Sequence, residues 1–323
     1  MIIAEAKIMT QNIRTNFIAR LDALGQIALT GEEAAHFLHN QITNDVENLS
    51  TAEARLAGYC TPKGRLLASF LMWRSTDTIY LQLPRDIQAA VQKRLQMFVL
   101  RAKAKLADVS DSHVAFGMAG AAVAELFLQL PTEPYAVVHG ENGTLIRLPD
   151  ADGVARYQWF TDPETAVRLL PELQMRLQPV GQDVWRLSEI RAGIPCITQA
   201  TQEKFVPQMI NFELLGGVNF RKGCYPGQEI VARSQYLGKL KRRMLLATVD
   251  DAGAAPGMEV FSSADPDQPC GMIVNAERHA PGASTCLVEL KLAATEGGAV
   301  HLGAIRGSVL QFAPLPYPLT DPE

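Results

Sequence analysis

One stretch of this sequence gathers residues able to do chemistry: Asn219-Phe-Arg-Lys-Gly-Cys-Tyr-Pro-Gly-Gln-Glu229. Cys224 lies two residues after Lys222 and next to Gly223, with Pro226 and Gly227 just beyond. Arg221, Lys222, Arg233, Lys239, Lys241, Arg242 and Arg243 face one acid, Glu229, across this region. Glycine admits positive φ and close backbone approach to a ligand, and Pro226 stiffens the turn. Gln228 to Arg233 reads as the start of a helix. A thiol in a cationic loop ahead of a helix N-terminus gains thiolate character. Cys224 is therefore a candidate nucleophile, redox thiol or soft-metal ligand. The competing reading is a small buried hydrophobe in a solvated turn. Against it stands the company of Cys224, a tyrosine, two glycines and cations instead of an apolar stripe.

Elsewhere the chemistry is thinner. Cys60, Cys196, Cys224, Cys270 and Cys286 are scattered without a C-x-x-C pair. An odd count without zinc-ligand spacing argues against a disulfide framework or structural zinc and for reduced thiols in a cytoplasm. A redox pairing of Cys196 with Cys224 stays open, since sequence carries no distance. His36 and His39 are spaced to share a helix face, but two imidazoles without a third ligand do not make a metal site. Gly216-Gly217 lacks the spacing of a phosphate loop. The basic run 239–243 reads as a solvated linker. It could meet an acidic partner or RNA phosphate, but without interleaved aromatics direct nucleic-acid binding is not expected.

The elements that must position Cys224 follow from periodicity. Residues 26–30 form a strand, and Gly31 turns into a helix with Glu32 and Glu33 in its first turn, where negative charge suits the dipole. Strands at 57–60, 66–73 and 78–83 lead to a second helix opened by Pro84 and Asp86. The order then recurs: a strand at 114–118, an Ala-rich helix from Gly120 through Leu128, strands at 135–138, 144–148 and 156–160, and a helix opened by Asp162-Pro163-Glu164. Two strand–helix–strands–helix units predict a duplicated α+β body, roughly 20–110 and 111–240. Beyond residue 240, short extended runs broken by Gly, Pro and Asp predict a small C-terminal β-barrel over 241–323.

The bulk properties agree. With 323 residues, 47% hydrophobic and 20% charged, the chain can bury a core in two or three domains of roughly 100–200 residues each. A net charge of −4 gives no whole-molecule attraction to nucleic acid or anionic membranes. Residues 1–7 place charges where a secretory apolar core would sit. The most apolar later stretch, 115–130, contains Glu125 and is shorter than the ~20 residues a bilayer span needs.

Lys222-Gly-Cys-Tyr-Pro-Gly-Gln-Glu229 resembles the K-G-C-Y-x-G-Q-E signature of the YgfZ-type folate-binding family, of the glycine-cleavage T-protein (aminomethyltransferase) superfamily. The resemblance extends through Gln41-Ile-Thr-Asn-Asp-Val46, Arg191-Ala-Gly-Ile-Pro195, Phe205-Val-Pro-Gln208, Asn211, Gly216-Gly217 and Pro314-Leu-Pro-Tyr317, nearly the whole chain. It implies a folate-holding α+β body with a central channel and a C-terminal β-barrel. It further implies a tetrahydrofolate-type ligand, a transient iron–sulfur cluster, and iron–sulfur client enzymes such as tRNA-thiolating ones.

By that resemblance Cys224 is the working thiol, with Lys222 and Arg233 as its electrostatic activators and Gly223, Tyr225, Gly227, Gln228 and Glu229 as its loop. Trp185 falls where relatives set a tryptophan against the pterin. Leu24 stands where some relatives carry a second one. Arg191 replaces a glutamate that can bond the pterin, and could instead meet the carboxylate tail of folate. Lys63-Gly-Arg-Leu-Leu-Ala-Ser69 lacks the aspartate that T-proteins carry there, which removes the group proposed to assist one-carbon transfer. Two alternatives remain: a one-carbon transferase or demethylase using Asp45 or Glu229, and a non-enzymatic folate-gated adaptor docking through Lys241, Arg242 and Arg243.

Overall fold

The computed structural model describes residues 16–236 and 240–320. The charged segment 1–7 and Lys239 of the basic run lie outside the described residues. In chain order the elements are β1 (Phe17–Arg20), β2 (Leu24–Thr30), α1 (Ala34–His39), β3 (Ala54–Cys60), β4 (Leu66–Arg74), β5 (Thr78–Pro84), α2 (Arg85–Val99) and β6 (Lys105–Asp108). A second series follows: β7 (Val114–Ala119), a 3₁₀ turn at Ala121–Glu125, β8 (Val137–Gly140), β9 (Gly143–Ala151), β10 (Val154–Thr161), α3 (Pro163–Arg176) and β11 (Gln178–Val180). Next come α4 (Gln182–Arg191) and α5 (Gln228–Tyr236), then β12 (Arg242–Val249), β13 (Glu259–Ser262), β14 (Asp265–Ala280), β15 (Ala283–Lys291), β16 (Val300–Leu302) and β17 (Leu310–Ala313).

The duplication is visible in the pairing. The first sheet runs β3-β4-β5-β2-β6 and the second β8-β9-β10-β7-β1-β11. Four strands of each series occupy matching places, so the α+β repeat suggested by pattern is a repeat of topology. β1, which the pattern did not reveal, lies antiparallel to β7 and parallel to β11. It takes the place beside β7 that β6 takes beside β2.

Two local expectations are corrected. The Ala-rich stretch after Gly120 makes only the short 3₁₀ turn, in which Val123 alone is buried. A segment this short does not sustain an α-helix without a buried face. Glu32 and Glu33 precede α1 instead of sitting in its first turn. They hold Lys103 through Glu32 Oε2 to Nζ at 2.8 Å and through the Lys103 N–H, which Glu33 Oε2 accepts at 2.7 Å. The start of α3 follows its sequence signal: Asp162 accepts the Thr165 N–H at 2.8 Å and Pro163 opens the helix, a satisfied N-cap.

The third sheet runs β16-β13-β14-β15-β12-β17. A bridge between His301 and Val309 and a Leu302 N–H to Ser308 carbonyl bond of 2.9 Å close it into the small barrel. Closure removes the exposed edges of an open sheet. Barrel and body share one core, in which Trp73, Phe160 and Trp185 join Met244, Val274 and Leu287. Trp73 and Phe160, one from each pseudo-repeat, meet with ring centroids 4.2 Å apart.

The basic run is not a solvated linker. Arg242 and Arg243 open β12, and strand alternation turns Arg243 inward to 2% exposure. There it pairs with Glu213 and donates to the carbonyls of Gln208 (3.3 Å) and Thr320 (2.7 Å). Arg242 donates to Glu289 at 2.9 Å. A buried guanidinium is tolerable only with such compensation, so these side chains serve the fold. Among the described residues no helix is long and apolar enough to cross a membrane.

Candidate functional site

Three segments distant in sequence converge beneath the Cys224 loop. Thr43 Oγ1 donates to the Gly217 carbonyl at 2.6 Å, and Asn44 Nδ2 donates to the carbonyls of Gly216 and Leu56, each at 2.7 Å. The Asn219 N–H reaches the Thr43 carbonyl at 2.9 Å. Gln208 Nε2 donates to the Val231 carbonyl at 2.7 Å, which ties the 205–208 segment to α5. Gly227 has φ +83°, and a Cβ there would lie 2.4 Å from the Thr61 carbonyl oxygen. Only glycine fits, and the backbone it approaches is the 61–64 turn.

Lys222 is half-buried and turned toward α1. Its Nζ donates to the carbonyls of His39 and Ile42, the latter at 2.8 Å, and lies 4.9 Å from the centre of the Tyr225 ring. Burial lowers its pKa to about 8, against the opposing pull of Asp45, Glu47 and Cys224. Tyr225 is buried, and burial pushes its phenol up, as does the neighbouring Cys60. Cys224 is exposed, as are Gly223, Glu229 and Arg233, while Gln228 is half-buried. The loop thus buries its lysine and tyrosine and presents its thiol. The two histidines diverge: exposed His36 meets Glu47 at 2.8 Å, and buried His39 meets Asp45 at 3.2 Å.

A second region lies between α4, the start of α2 and β14. It holds a cavity of about 450 Å³ lined by Leu24, Arg85, Arg186, Glu189, Cys196 and Asn275, among others. Cys224 is not part of this lining. A second hollow of about 420 Å³ also borders Leu24 and Arg85 and includes Gln26 and His113. Burial pushes the Cys196 thiol well above its ordinary value.

Trp185 sits on α4 with its six-membered ring packed on Gly117, where a Cβ would fall 2.2 Å from the ring. The Arg156 guanidinium lies over the indole at 5.0 Å. Glu189 follows Trp185 by one helical turn and so shares its face. Arg191 points elsewhere and pairs with Asp152 at 3.0 Å. Burial raises the Glu189 carboxyl, with Arg156, a hydrogen bond with the Trp185 side chain and Arg186 opposing. Arg156 is fully buried, and burial lowers its pKa to about 10, with Glu189 opposing.

Polar atoms here go unmatched. Trp185 Nε1, Arg156 Nη2, Tyr135 Oη, Gln26 Oε1, Gln82 Nε2 and Gln158 Oε1 are buried without a hydrogen-bond partner. By strand alternation Gln26, Gln82 and Gln158 share faces with Leu24, Tyr80 and Phe160, which belong to the core between the sheets. Buried polar atoms are normally bonded, and these six are exceptions to that rule. Sequence reasoning passed over Arg156 and the glutamines, and gave Glu189 no role because its phase differs from that of Arg191. The available signals were the four-residue spacing from Trp185 to Glu189 and three glutamines on the inward phase of strands.

The fold is that of an aminomethyltransferase. The glycine cleavage system aminomethyltransferase T from Bartonella henselae superposes with a TM-score of 0.76 over 94% of this chain and 86% of that one, at 15% identity. No family model matches the sequence. Curated relatives do: the tRNA-modifying protein YgfZ of Colwellia psychrerythraea is 33% identical over 233 residues, covering 71% of this chain and 70% of that protein. YgfZ of Klebsiella pneumoniae is 35% identical over 231 residues, covering 69% of each. The chain belongs to the YgfZ family.

Proposed function

We propose that this chain is a cytoplasmic protein that binds a reduced folate between its two sheets and uses Cys224 to support iron–sulfur enzymes, tRNA-modifying ones among them. Two observations support the ligand: six unpartnered buried polar atoms, among them those of Trp185 and Arg156, and a cavity of about 450 Å³ lined by Glu189 of the same helix as Trp185. A pterin offers amino, ring N–H and carbonyl groups to such a set, and the apolar wall of Leu24, Ile190 and Ile194 suits its flat ring. When bound, a reduced folate supplies a one-carbon carrier.

Trp185, with Gly117 against its ring and Arg156 above it, is the pterin contact in this reading. Arg191, held by Asp152, fixes the end of α4. Neither Asp45 nor Glu229 lines the cavity, and Lys63–Ser69 offers no acid, which counts against ordinary aminomethyl transfer through those groups. Cys224 works outside the cavity, as a thiol or transient cluster ligand on the surface. Lys222 pins its loop and Arg233 adds exposed positive charge.

The test is complementation of a strain lacking the protein, read as tRNA thiolation. Cys224→Ala abolishes rescue while calorimetric affinity for 5-formyltetrahydrofolate stays at the wild-type value. A fully active alanine variant removes the thiol from the mechanism.

A further inference from the structure

Resting on the reading of Cys224 as a working surface thiol, we infer that the outer face of α5 and the turns beside it dock an acidic protein segment and so bring a partner to that thiol. Helical spacing builds the face. Val231 turns inward and is fully buried, while Ile230, Arg233 and Tyr236 follow at three-residue steps along the opposite, exposed side. Tyr236 is 67% exposed, so its ring is free for a partner. Phe220 backs it with ring centroids 6.3 Å apart, which brings Arg221 to that end of the stripe. At the other end the 61–64 turn packs on Ile230, where a Cβ on Gly64 would lie 3.0 Å from the isoleucine Cβ. That turn carries Lys63, and Arg65 just beyond it donates to the Lys204 carbonyl.

The charge of this face selects its occupant. Lys63, Arg65, Lys204, Arg221 and Arg233 are exposed, and none of them pairs with a carboxylate among the described residues. Glu203 and Glu229 are the exposed acids between them, and Glu47, beyond Lys222, is engaged by His36 at 2.8 Å. Unpaired cations grouped on a chain of net charge −4 make a local field that attracts and steers an anionic partner. Two features favour protein over nucleic acid. Glu203 and Glu229 interrupt the positive track that a phosphate backbone follows. Ile230, Arg233 and Tyr236 set an apolar anchor, a guanidinium and an aromatic ring side by side, and tyrosine and arginine are the types concentrated in protein–protein hot spots. The basic run does not serve here, since Glu289 engages Arg242 and Glu213 engages Arg243.

Fluorescence anisotropy on the full chain tests this with two labelled probes, a peptide of alternating aspartate and leucine and an oligouridylate of equal charge. The peptide should bind wild type, weaken as salt rises, and slow maleimide labelling of Cys224 as read by mass spectrometry. Joint Lys63→Glu and Arg221→Glu substitution should weaken the peptide roughly tenfold or more, and Tyr236→Ala roughly five- to thirtyfold. The wild-type measurements stand even if a variant misfolds. Peptide affinity equal in wild type and the charge-reversed variant, or Cys224 labelling unaffected by bound peptide, overturns the docking face and leaves the thiol reading intact. Tighter binding of the oligouridylate than of the peptide overturns it in favour of nucleic acid. Full rescue of tRNA thiolation by Cys224→Ala sinks the thiol reading, and with it the purpose of this face, whatever the peptide does.

Discussion

Beneath the Cys224 loop, Lys222, Thr43, Asn44 and Gln208 each deliver polar hydrogens to backbone carbonyls. Between the sheets, Trp185, Arg156, Tyr135 and three glutamines leave polar atoms unbonded. The first region bonds most of its polar hydrogens within the protein, with Gln41 Oε1 and Gln208 Oε1 as exceptions, and holds one thiol outward. The second leaves more of them open, which is why the proposed function seats the ligand there. The degree of internal bonding thus differs between two regions of a single fold, in the direction the proposed roles require.

Cutting the support they share should have the largest effect. Arg243→Ala leaves Glu213 charged and buried, and a broken buried pair costs about 3–5 kcal/mol. Urea denaturation should show that loss, with Cys224 labelling and ligand release changing at one urea concentration. Separate midpoints would make the two regions independent units.

Gly117→Ala should divide the regions instead. A Cβ 2.2 Å from the Trp185 ring must displace the indole, and overpacking of this kind costs about 1–3 kcal/mol. Reduced-folate affinity should fall while iodoacetamide labels Cys224 at the wild-type rate. Leu24→Trp sharpens the receiving side. An added aromatic stack is worth about 0.5–1.5 kcal/mol, so calorimetric affinity should rise several-fold, and an unchanged value would place Leu24 away from the ring.

The smallest effect is on the presenting side and concerns pH. The native Lys222 pKa is lowered to about 8 from 10.5. Between those values the folded chain holds fewer protons than the unfolded one, so linkage makes stability rise with pH. Wild type should therefore gain on Lys222→Met as pH climbs through that window in paired urea titrations. A constant difference would show Lys222 to be solvated.

Much of this was legible in advance. Strand periodicity, the Asp162 cap and the turn-rich texture after residue 240 encode local structure, and local structure is what a sequence displays. β1 stayed hidden because its partners, Ala119 and Gln178, are far away along the chain. Arg243 read as solvent-facing because its compensating charge, Glu213, lies 30 residues earlier. The Cys224 loop was legible from composition, since its residues are contiguous. The cavity was not: its donors and acceptors come from two sheets and a helix, and only packing brings them together.

The position of β1 has a consequence for how the halves can be handled. Because Phe17–Arg20 lies between β7 and β11, a cut near residue 111 would not yield two self-sufficient pieces. The leading fragment would carry away a strand it cannot use, and β11 in the trailing fragment would lose the strand that joins it to its sheet. The repeats are interlocked like links of a chain, and reassembly of the severed halves should require β1 to thread back into its slot.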